Sequence, residues 1–406
     1  MHDSLEVLAK INYGKSPNQV LAIDGDIPIV GTGGIYGRAE RAMFESGIVV
    51  ARKGSLGRPH LFKVPFWPAD TTYAVIPRYD VDIDWLYYCL LNFDLTKLNE
   101  ATGVPSINRN WLAKTLFVNP GAAQQRRIAT VLSSIDTAIE KTEALIGKYQ
   151  QIKAGLMHDL FTRGVLPNGQ LRPPRNVAPE LYQETAIGWL PKNWGVKETS
   201  EVLDSIADGP FGSNLKTEHY VVDPGVRVIR LQNIVEHQYN DDDRAYVSNQ
   251  HAAYLARNKV VGDDVLIAGL GEERYPVGRA CIYPDNLPPA INKADCFRVR
   301  CVTAIIHNKF FMLFLNSELA RQQIRRYEQG VTRPRINTGN LKRLLVGVPS
   351  FDEQTDIIEK FDAVQNTIHA QQDRVKNLRA QKLGLMQDLL TGKVPVSVDD
   401  TEMPNA

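Results

Sequence analysis

Four short segments contain the residue types most able to do chemistry in this sequence. They combine glycine with Arg, Lys, Asn or aromatic residues, and they lie at 31–38, 52–58, 209–216 and 269–279. Arg and Lys can donate to guanine edges or phosphates, Asn and Gln can pair with adenine, and glycine lets the backbone approach a duplex. Each segment alone is also typical of an ordinary turn. Together they favour base-reading loops.

The candidate DNA-contact residues come from both halves of the chain. A solvated surface side chain is the alternative interpretation of any single one. The candidates are Lys15, Tyr36, Arg38, Arg52, Lys53 and Arg58 in the first half, and Ser213, Asn214, Lys216, Arg230, Arg274 and Arg279 in the second.

Motifs for catalysis are missing from the sequence. There is no Gly-x-x-x-x-Gly-Lys-Ser/Thr, no Gly-x-Gly-x-x-Gly and no His-Glu-x-x-His. The stretch 286–290 has neither the order nor the aromatic residue of the motif with which amino-methyltransferases hold a base. A nuclease-like Pro284-Asp285 with Lys293 fails because Ile291 cannot bind a metal. We therefore predict no catalytic residue, no metal ligand and no cofactor in this chain.

Composition limits the class of protein. The 406 residues are 43% hydrophobic, enough for two to four domains with real cores. The 47 Lys and Arg balance 46 Asp and Glu, so DNA contact must come from local patches rather than net charge. Four irregularly spaced cysteines favour reduced thiols over disulfides or zinc. With neither a signal peptide nor a membrane-length apolar run, we expect a cytoplasmic protein without membrane contact.

An internal repeat organises these segments. Ile107-Asn108 recurs as Ile336-Asn337, and the same offset of 229 residues persists without a gap through Gly155-Leu156-Met157, which recurs as 384–386. The segments before each copy, Met1 to about 102 and about 188 to 330, resemble each other only loosely. The sequence therefore indicates a duplicated unit, with a variable domain followed by a conserved segment.

The conserved segments carry heptad seams, with apolar residues alternately four and three apart and no proline from Gln125 to Leu160. Each predicts a helix of about 50 Å. The predicted helix-pair interface comprises Ile128, Leu132, Ile135, Ile139, Thr142, Ile146 and Tyr149 in the first copy, and Ile357, Phe361, Val364, Ile368, Gln371, Val375 and Leu378 in the second. The seam continues at Lys153 and Lys382.

A pseudo-twofold relation between the copies predicts antiparallel pairing of these helices. Such a pair would place Thr142 near Gln371, where two polar groups could hydrogen-bond across the seam and fix its register. The variable domains would then lie at opposite ends of a rigid spacer.

The sequence predicts a mixed α/β structure for each variable domain. Short β-rich runs predict strands at 48–51, 72–76 and 265–268, while 84–98 and 304–327 are the best helical candidates. The fold class is therefore α+β, with two globular α/β domains separated by a pair of long antiparallel coiled-coil helices in a pseudo-twofold repeat.

This arrangement resembles the specificity subunit of type I restriction-modification enzymes over essentially the whole chain. The shared phrases include Pro-x4-Gln-x2-Ile before each helix, beginning at Pro120 and Pro349, and Gly-Leu-Met-x-Asp-Leu at both helix ends. Phrases at 13–17, 188–191 and 208–213 also fit.

The resemblance implies that each variable domain is a target recognition domain reading one half of a bipartite site in double-stranded DNA. It implies that the helices set the gap and dock two adenine methyltransferase subunits, with restriction and translocase subunits completing the complex. S-adenosylmethionine, ATP and Mg would then bind the partners, and this chain would not be a catalyst. A spacer of about 50 Å matches about one and a half turns of B-DNA.

The predicted boundaries follow the repeat. They are a first recognition domain at 1–104, a conserved region at 105–166, a linker at 167–187, a second recognition domain at 188–330, a second conserved region at 331–395 and a flexible tail at 396–406. The second domain is preceded by Gly-Trp-Leu-Pro-Lys-Asn-Trp at 188–194, and nothing equivalent precedes 4–7, so either the first domain is shorter or the start codon is misplaced.

Other functions remain open at this level. One alternative is a coiled-coil interaction scaffold that does not bind DNA. Another is a specificity module of a related methyltransferase system without restriction. A third is an active methyltransferase or nuclease whose motifs escape recognition; such a protein would modify or cut DNA by itself.

Overall fold

A computed structural model describes residues 1–272 and 274–397, which form two compact units. The first contains Met1–Ile146 and the chain from Ala370 onward, and the second contains Gly147–His369. Each unit thus includes part of both conserved segments. The predicted boundaries treated each conserved region as one continuous piece. Of the predicted tail, residues 398–406 lie outside the described residues.

Three sheets form the first unit. The main sheet is antiparallel with the order β2-β8-β5-β6, a second has the order β4-β3-β7 with a parallel β3–β7 pair, and β1 pairs with β9. The strands are β1 (His2–Ser4), β2 (Ala9–Tyr13), β3 (Ile27–Gly31), β4 (Gly34–Ala39), β5 (Gly47–Ala51), β6 (His60–Phe62), β7 (Trp67–Pro68), β8 (Thr72–Pro77) and β9 (Leu116–Val118).

Helices close the core of this unit. Trp85 and Leu86 are fully buried and cluster with Leu5, Leu132 and other apolar side chains. The helices are α1 (Leu5–Leu8), α2 (Ile83–Asn92), α3 (Arg109–Ala113) and the start of α4 (Ala122–Thr162). A 3-10 turn at Leu95–Leu98 follows α2.

The second unit has more strands than the first, in five sheets. They are β10 (Tyr182–Thr185), β11 (Gly188–Pro191), β12 (Gly195–Glu198), β13 (Leu203–Ala207), β14 (Tyr220–Val221), β15 (Val226–Ile229), β16 (Ile234–Val235), β17 (Gln238–Tyr239), β18 (Tyr246–Val247), β19 (Lys259–Val260), β20 (Val265–Ala268), β21 (Ala280–Ile282), β22 (Ala290–Asn292), β23 (Cys296–Cys301) and β24 (Leu345–Val348). The helices are α5 (Thr199–Val202), α6 (Asn249–Tyr254), α7 (Asn308–Asn316), α8 (Glu318–Tyr327), α9 (Thr338–Lys342) and α10 (Phe351–Leu389).

The sheets of the second unit repeat those of the first. Its antiparallel sheet β13-β23-β20-β21 corresponds to β2-β8-β5-β6, the parallel pair β15–β22 corresponds to β3–β7, and β12–β24 corresponds to β1–β9. Single bonds recur as well: Leu5 N–H donates to the Thr115 carbonyl, and Thr199 N–H to the Leu344 carbonyl. The loosely similar variable segments therefore share these core strand pairings, to which the second unit adds further strands, and the mixed α+β prediction is confirmed.

The three predicted strands are confirmed as β5, β8 and β20, but the two predicted helices are interrupted. The first ends at Asn92, and the second breaks at Ser317 between α7 and α8. In both places a capping side chain starts a new helical turn: Asp94 accepts the N–H of Thr96 at 3.1 Å, and Ser317 caps α8. Such caps compete with continuation of the preceding helix.

The two long helices run in opposite directions within each unit. In the first unit Asp136 of α4 binds Lys382, while the later Glu143 binds the earlier Arg379. In the second unit Lys153 donates to Gln365 at 3.1 Å. Lys153 and Lys382 occupy equivalent positions in the two copies, and so do their partners Gln365 and Asp136. All fourteen predicted interface residues are buried or half-buried.

The expected Thr142–Gln371 hydrogen bond is not formed. Thr142 is 7% exposed, and its hydroxyl donates at 2.7 Å to the Ala138 carbonyl one turn earlier in the same helix. A helical threonine can satisfy its hydroxyl locally in this way, so the polar residue needs no partner across the seam.

A buried glutamine joins each long helix to its recognition domain. The Gln125 side chain accepts the N–H of Asp82, the N-cap residue of α2, at 2.8 Å. The Gln354 side chain accepts the N–H of His307, the N-cap residue of α7, at 2.9 Å. Both glutamines are at most 1% exposed. The Pro-x4-Gln phrase of the sequence thus has a structural role.

A buried ion pair holds the segment predicted as a linker. Glu353, in the first turn of α10, accepts both terminal guanidinium nitrogens of Arg172, at 2.5 and 2.9 Å. The same carboxylate accepts the indole N–H of Trp194 at 3.0 Å and the N–H of Val165 at 3.0 Å. Residues 167–187 are therefore tied to the second unit by a fully hydrogen-bonded charge.

We expect Gln354→Ala to lower the free energy of unfolding by about 1–3 kcal/mol, because it removes a fully buried side chain and leaves the part-buried His307 N–H without its acceptor. The exposed Gln372→Ala on the same helix is the matched control. Urea unfolding of the full chain measures both, and equal midpoints for the two variants would contradict the assigned role.

Candidate nucleic-acid interface

Loops at one end of the four-stranded sheet bring several predicted residues of the first unit together. The Lys15 N–H, the Arg52 guanidinium and the Lys53 N–H donate to carbonyls of the turn 68–71, at 3.0, 2.9 and 3.1 Å. Tyr36 lies near the same turn, since burial first and then Asp70 raise the pKa of its hydroxyl. Four of the six first-unit candidates thus gather around one turn.

The sequence analysis missed an aromatic ring that lies near two guanidinium groups. Tyr13 is 49% exposed, and the guanidinium carbons of Arg52 and Arg109 lie 5.3 and 5.9 Å from its ring centroid. Arg109 is held there by donating to the Ile11 carbonyl at 3.0 Å. Within 1–272 and 274–397 neither arginine forms an ion pair with a carboxylate. Such a cluster can contact phosphates or bases.

The remaining first-unit candidates do not join this cluster. Arg38 donates to the Asp26 carbonyl at 3.2 Å, just before β3, and Arg58 is exposed on the loop after β5. Both side chains are exposed to solvent. Neither is bound to the turn 68–71 that holds Arg52.

Equivalent loops form the corresponding end of the second unit. Gly54 N–H donates to the Pro105 carbonyl at 2.8 Å, and Gly271 N–H donates to the Pro334 carbonyl at 2.9 Å. The loop after β5 therefore lies beside the loop before α3, just as the loop after β20 lies beside the loop before α9. These pairs of loops carry different side chains: Gly269-Leu270 replaces Arg52-Lys53.

A carboxylate anchors the loop after β13. Asp208 accepts the N–H groups of Gly209 and Asp295, at 2.7 and 3.1 Å. Burial raises the pKa of this carboxyl to about 6. Gly209 lies so close to the backbone of Lys293 that a Cβ would sit 2.0 Å from it. The carboxylate and the glycine together fix where the predicted contact loop leaves the sheet.

Four of the second-unit candidates remain exposed, Arg230 is half-buried in an ion pair, and Arg279 is buried. The exposed ones are Ser213, Asn214, Lys216 and Arg274, of which Lys216 is 3.4 Å from Glu218.

Arg279 is only 4% exposed, and its guanidinium donates to five backbone carbonyls inside the domain. Arg230 forms an ion pair with Asp243. The burial of Arg279 corrects the sequence-based choice of that residue, because a sequence does not show whether a guanidinium binds carbonyls inside its own domain or stays available to a ligand. Arg230 stays a prediction.

Two exposed arginines on the loop before α9 were also missed. Arg335 occupies the repeat position of Ser106 and lies 2.9 Å from Asp295, while Arg333 lies 3.6 Å from Glu272. The sequence did offer a signal for them: they lie just before Ile336-Asn337, and the same Ile-Asn pair in the first copy is followed by Arg109.

The four cysteines lie in the interior, and the possible metal-binding side chains of the described residues are dispersed. All four cysteines are buried, and burial raises the pKa of the Cys89 thiol well above its usual range. In the described part of the chain, no group of three or more His, Cys, Asp or Glu side chains could hold a metal ion. A cavity of about 800 Å³ in the second unit is lined by Arg227, Asp241 and Tyr246 among others.

None of the described helices combines the length and the hydropathy needed to cross a membrane.

Comparison with known proteins identifies similar chains. A family model described as the type I restriction modification DNA specificity domain matches residues 4–151 and 191–378. The chain is 23% identical over 74% of its length to the type I restriction enzyme MjaVIII specificity subunit of Methanocaldococcus jannaschii, covering 67% of that protein. It is 20% identical over 75% of its length to the EcoBI specificity subunit of Escherichia coli, covering 64% of it. The chain therefore spans about two thirds of the length of these relatives.

A solved structure shows the same fold. The crystal structure of the S subunit of a type I restriction-modification system from M. genitalium matches with a TM-score of 0.58 at 15% identity, over 96% of each chain.

We expect Lys53→Gln to weaken binding to a non-specific DNA duplex several-fold and to reduce the slope of log K against log salt by about 0.9, the value for one lost phosphate contact. Lys63→Gln is the matched control, because Lys63 is already paired with Asp84 at 2.7 Å. Fluorescence anisotropy at several salt concentrations measures both. The same affinity and slope for the two variants would remove Lys53 from the interface.

The raised pKa of Asp208 predicts a pH-dependent loss of stability. Between about pH 4 and 6 the unfolded carboxyl loses its proton while the folded one keeps it, so this group's contribution to folding stability falls as pH rises. Asp208→Asn should remove the effect, of order 1 kcal/mol after allowance for partial exposure. The exposed Asp204→Asn is the control, and urea midpoints at about pH 4 and 7 are the measurement. An unchanged pH dependence in Asp208→Asn would contradict the assignment.

Proposed function

The chain belongs to the type I restriction-modification DNA specificity family, and from this premise we propose that each of its two recognition domains reads one half of a bipartite site in double-stranded DNA. One observation carries the proposal. The two domains present topologically equivalent loop pairs, joined by the same backbone hydrogen bonds, with different side chains at equivalent positions. A constant scaffold with exchanged loop residues suits the reading of two different half-sites.

The long helices are proposed to set the distance between the half-sites. With 41 and 39 residues, α4 and α10 are each about 60 Å long. Their seams are mainly apolar, and the polar seam residue Lys382 binds Asp136 on the facing helix. This favours a stiff pair over a flexible tether.

The chemistry is proposed to come from partner subunits. Two adenine methyltransferase subunits would bring S-adenosylmethionine, and restriction subunits would bring ATP, Mg and DNA cleavage. The chain itself would act as the DNA-recognition component without a catalytic role. Its own residues bind and orient the DNA. The purified chain is therefore expected neither to methylate nor to cut DNA.

Mapping of methylated adenines tests this function directly. The chain is co-expressed with the methyltransferase subunit encoded in its own genome, and every modified adenine in the host DNA is located. We expect one asymmetric motif with two short half-sites around a fixed unspecified gap. A stable complex that methylates nothing, or DNA modified by this chain alone, would overturn the proposal.

Insertion of one heptad near the centre of both α4 and α10 tests the spacer. Seven residues lengthen each helix by about 10 Å, so both half-sites should stay unchanged while the gap grows by at most about three base pairs. Insertion into α4 alone is the control, because it breaks the seam and should abolish methylation. An unchanged gap with both insertions would show that the helices do not set the spacing.

A further inference from the structure

The first unit exposes an apolar surface on its conserved region, here named the α3–β9 face. Trp111 on α3 is 57% exposed and Leu116 on β9 is 61% exposed. Val7 on the neighbouring helix α1 is 55% exposed. Large apolar side chains that cluster on a surface commonly mark an interaction site.

The second unit shows what covers the equivalent face. Leu345 and Asn340 are the repeat equivalents of Leu116 and Trp111, and helix α8 lies on both. The Gln323 side chain of α8 accepts the Leu345 N–H at 2.7 Å and donates to the Leu345 carbonyl at 2.9 Å. The Asn340 side chain donates to the Tyr327 carbonyl at 3.3 Å. The side-chain amide of one helical residue thus pairs with both backbone groups that Leu345 presents at the edge of its strand.

The first unit has only the beginning of this helix. Asp94 caps the 3-10 turn Leu95–Leu98 where Ser317 caps the ten-residue α8. After Leu98 the chain continues to α3 at Arg109 without a further helix. The edge at Leu116 therefore lacks the cover that its repeat equivalent has.

The β9 edge presents backbone groups as well as side chains. Leu5 N–H donates to Thr115, and Asn119 N–H donates to Met1. In an antiparallel pair these bonds alternate, so Leu116, paired with Ser4, directs its N–H and carbonyl outward. The edge is short, since β9 has only three residues, and a side-chain amide can pair with Leu116 as Gln323 pairs with Leu345.

We propose that the α3–β9 face binds an amphipathic α-helix of the methyltransferase subunit, in the place that α8 occupies in the second unit. The inference rests on the proposed function, because it takes that subunit as the partner. The docked helix would set an apolar face on Trp111 and Leu116 and a Gln or Asn amide on the Leu116 backbone. An acidic residue would face Lys114, which is exposed and has no ion pair among the described side chains.

This docking makes the two halves of the chain unequal. The second unit covers its own face with α8, so a partner helix has access only in the first. Two copies of the same partner would therefore contact the two repeats differently.

A photo-crosslinking amino acid tests the contact. Benzoylphenylalanine replaces Trp111 in the full chain, the complex with the methyltransferase subunit is assembled and irradiated, and the linked peptide is sequenced. Ile23, which is 97% exposed, is the matched control position. We expect a link from position 111 to an amphipathic helical segment of the methyltransferase subunit and none from position 23. A link to a second copy of this chain, or no link in a complex that forms, would overturn the inference.

Charge reversal gives a second test that leaves the core untouched. We expect Lys114→Glu to weaken binding of the methyltransferase subunit at least several-fold, and Lys10→Glu, exposed on β2, to have no such effect. Equal affinities would overturn the inference. Adenine methylation by the unmodified complex is measured in parallel, so that an active complex without contact at this face is distinguished from failure of the proposed function.

Discussion

A buried amide hydrogen bond at the start of each long helix is the constraint on which the rest of the structure depends. Gln125 and Gln354 each accept the N–H at the N-cap of a recognition-domain helix. Each also uses its amide nitrogen, Gln125 on Asn119 and Gln354 on the carbonyls of Ile305 and Pro349. Because an unsatisfied buried amide is costly, the direction of the long helix and the position of the domain are fixed together.

The two units differ in the side chains of their contact loops, which is where two different half-sites would require a difference. The backbone bonds between contact loops are the same, whereas the side chains they present are not. Arg52 and Lys53 supply cations on one loop of the first unit, and Arg333 and Arg335 supply them on the opposite loop of the second. A fixed frame with variable loops separates stability from specificity, since loop residues can change without altering the core.

The units also differ in how they hold their helix ends. Glu353 gathers Arg172, Trp194 and the Val165 N–H into a buried ionic network in the second unit. Its repeat equivalent is the uncharged Gln124, which donates to the Val396 carbonyl at 3.1 Å. A neutral amide needs fewer partners than a buried carboxylate, so Gln124 requires no ionic partner of the kind that Arg172 provides for Glu353.

The sequence by itself determined the duplication, the long helices, their antiparallel seam and the strands β5, β8 and β20. These depend on local periodicity and on the fixed offset between copies, both of which are written along one chain. Only the tertiary structure decided which cations are available. Arg279 and Arg52 look alike in sequence, yet one is enclosed by five carbonyls and the other faces solvent beside Tyr13. The missed Arg109 and the open α3–β9 face have the same cause: exposure depends on which distant segment packs against a residue, and no local pattern encodes that.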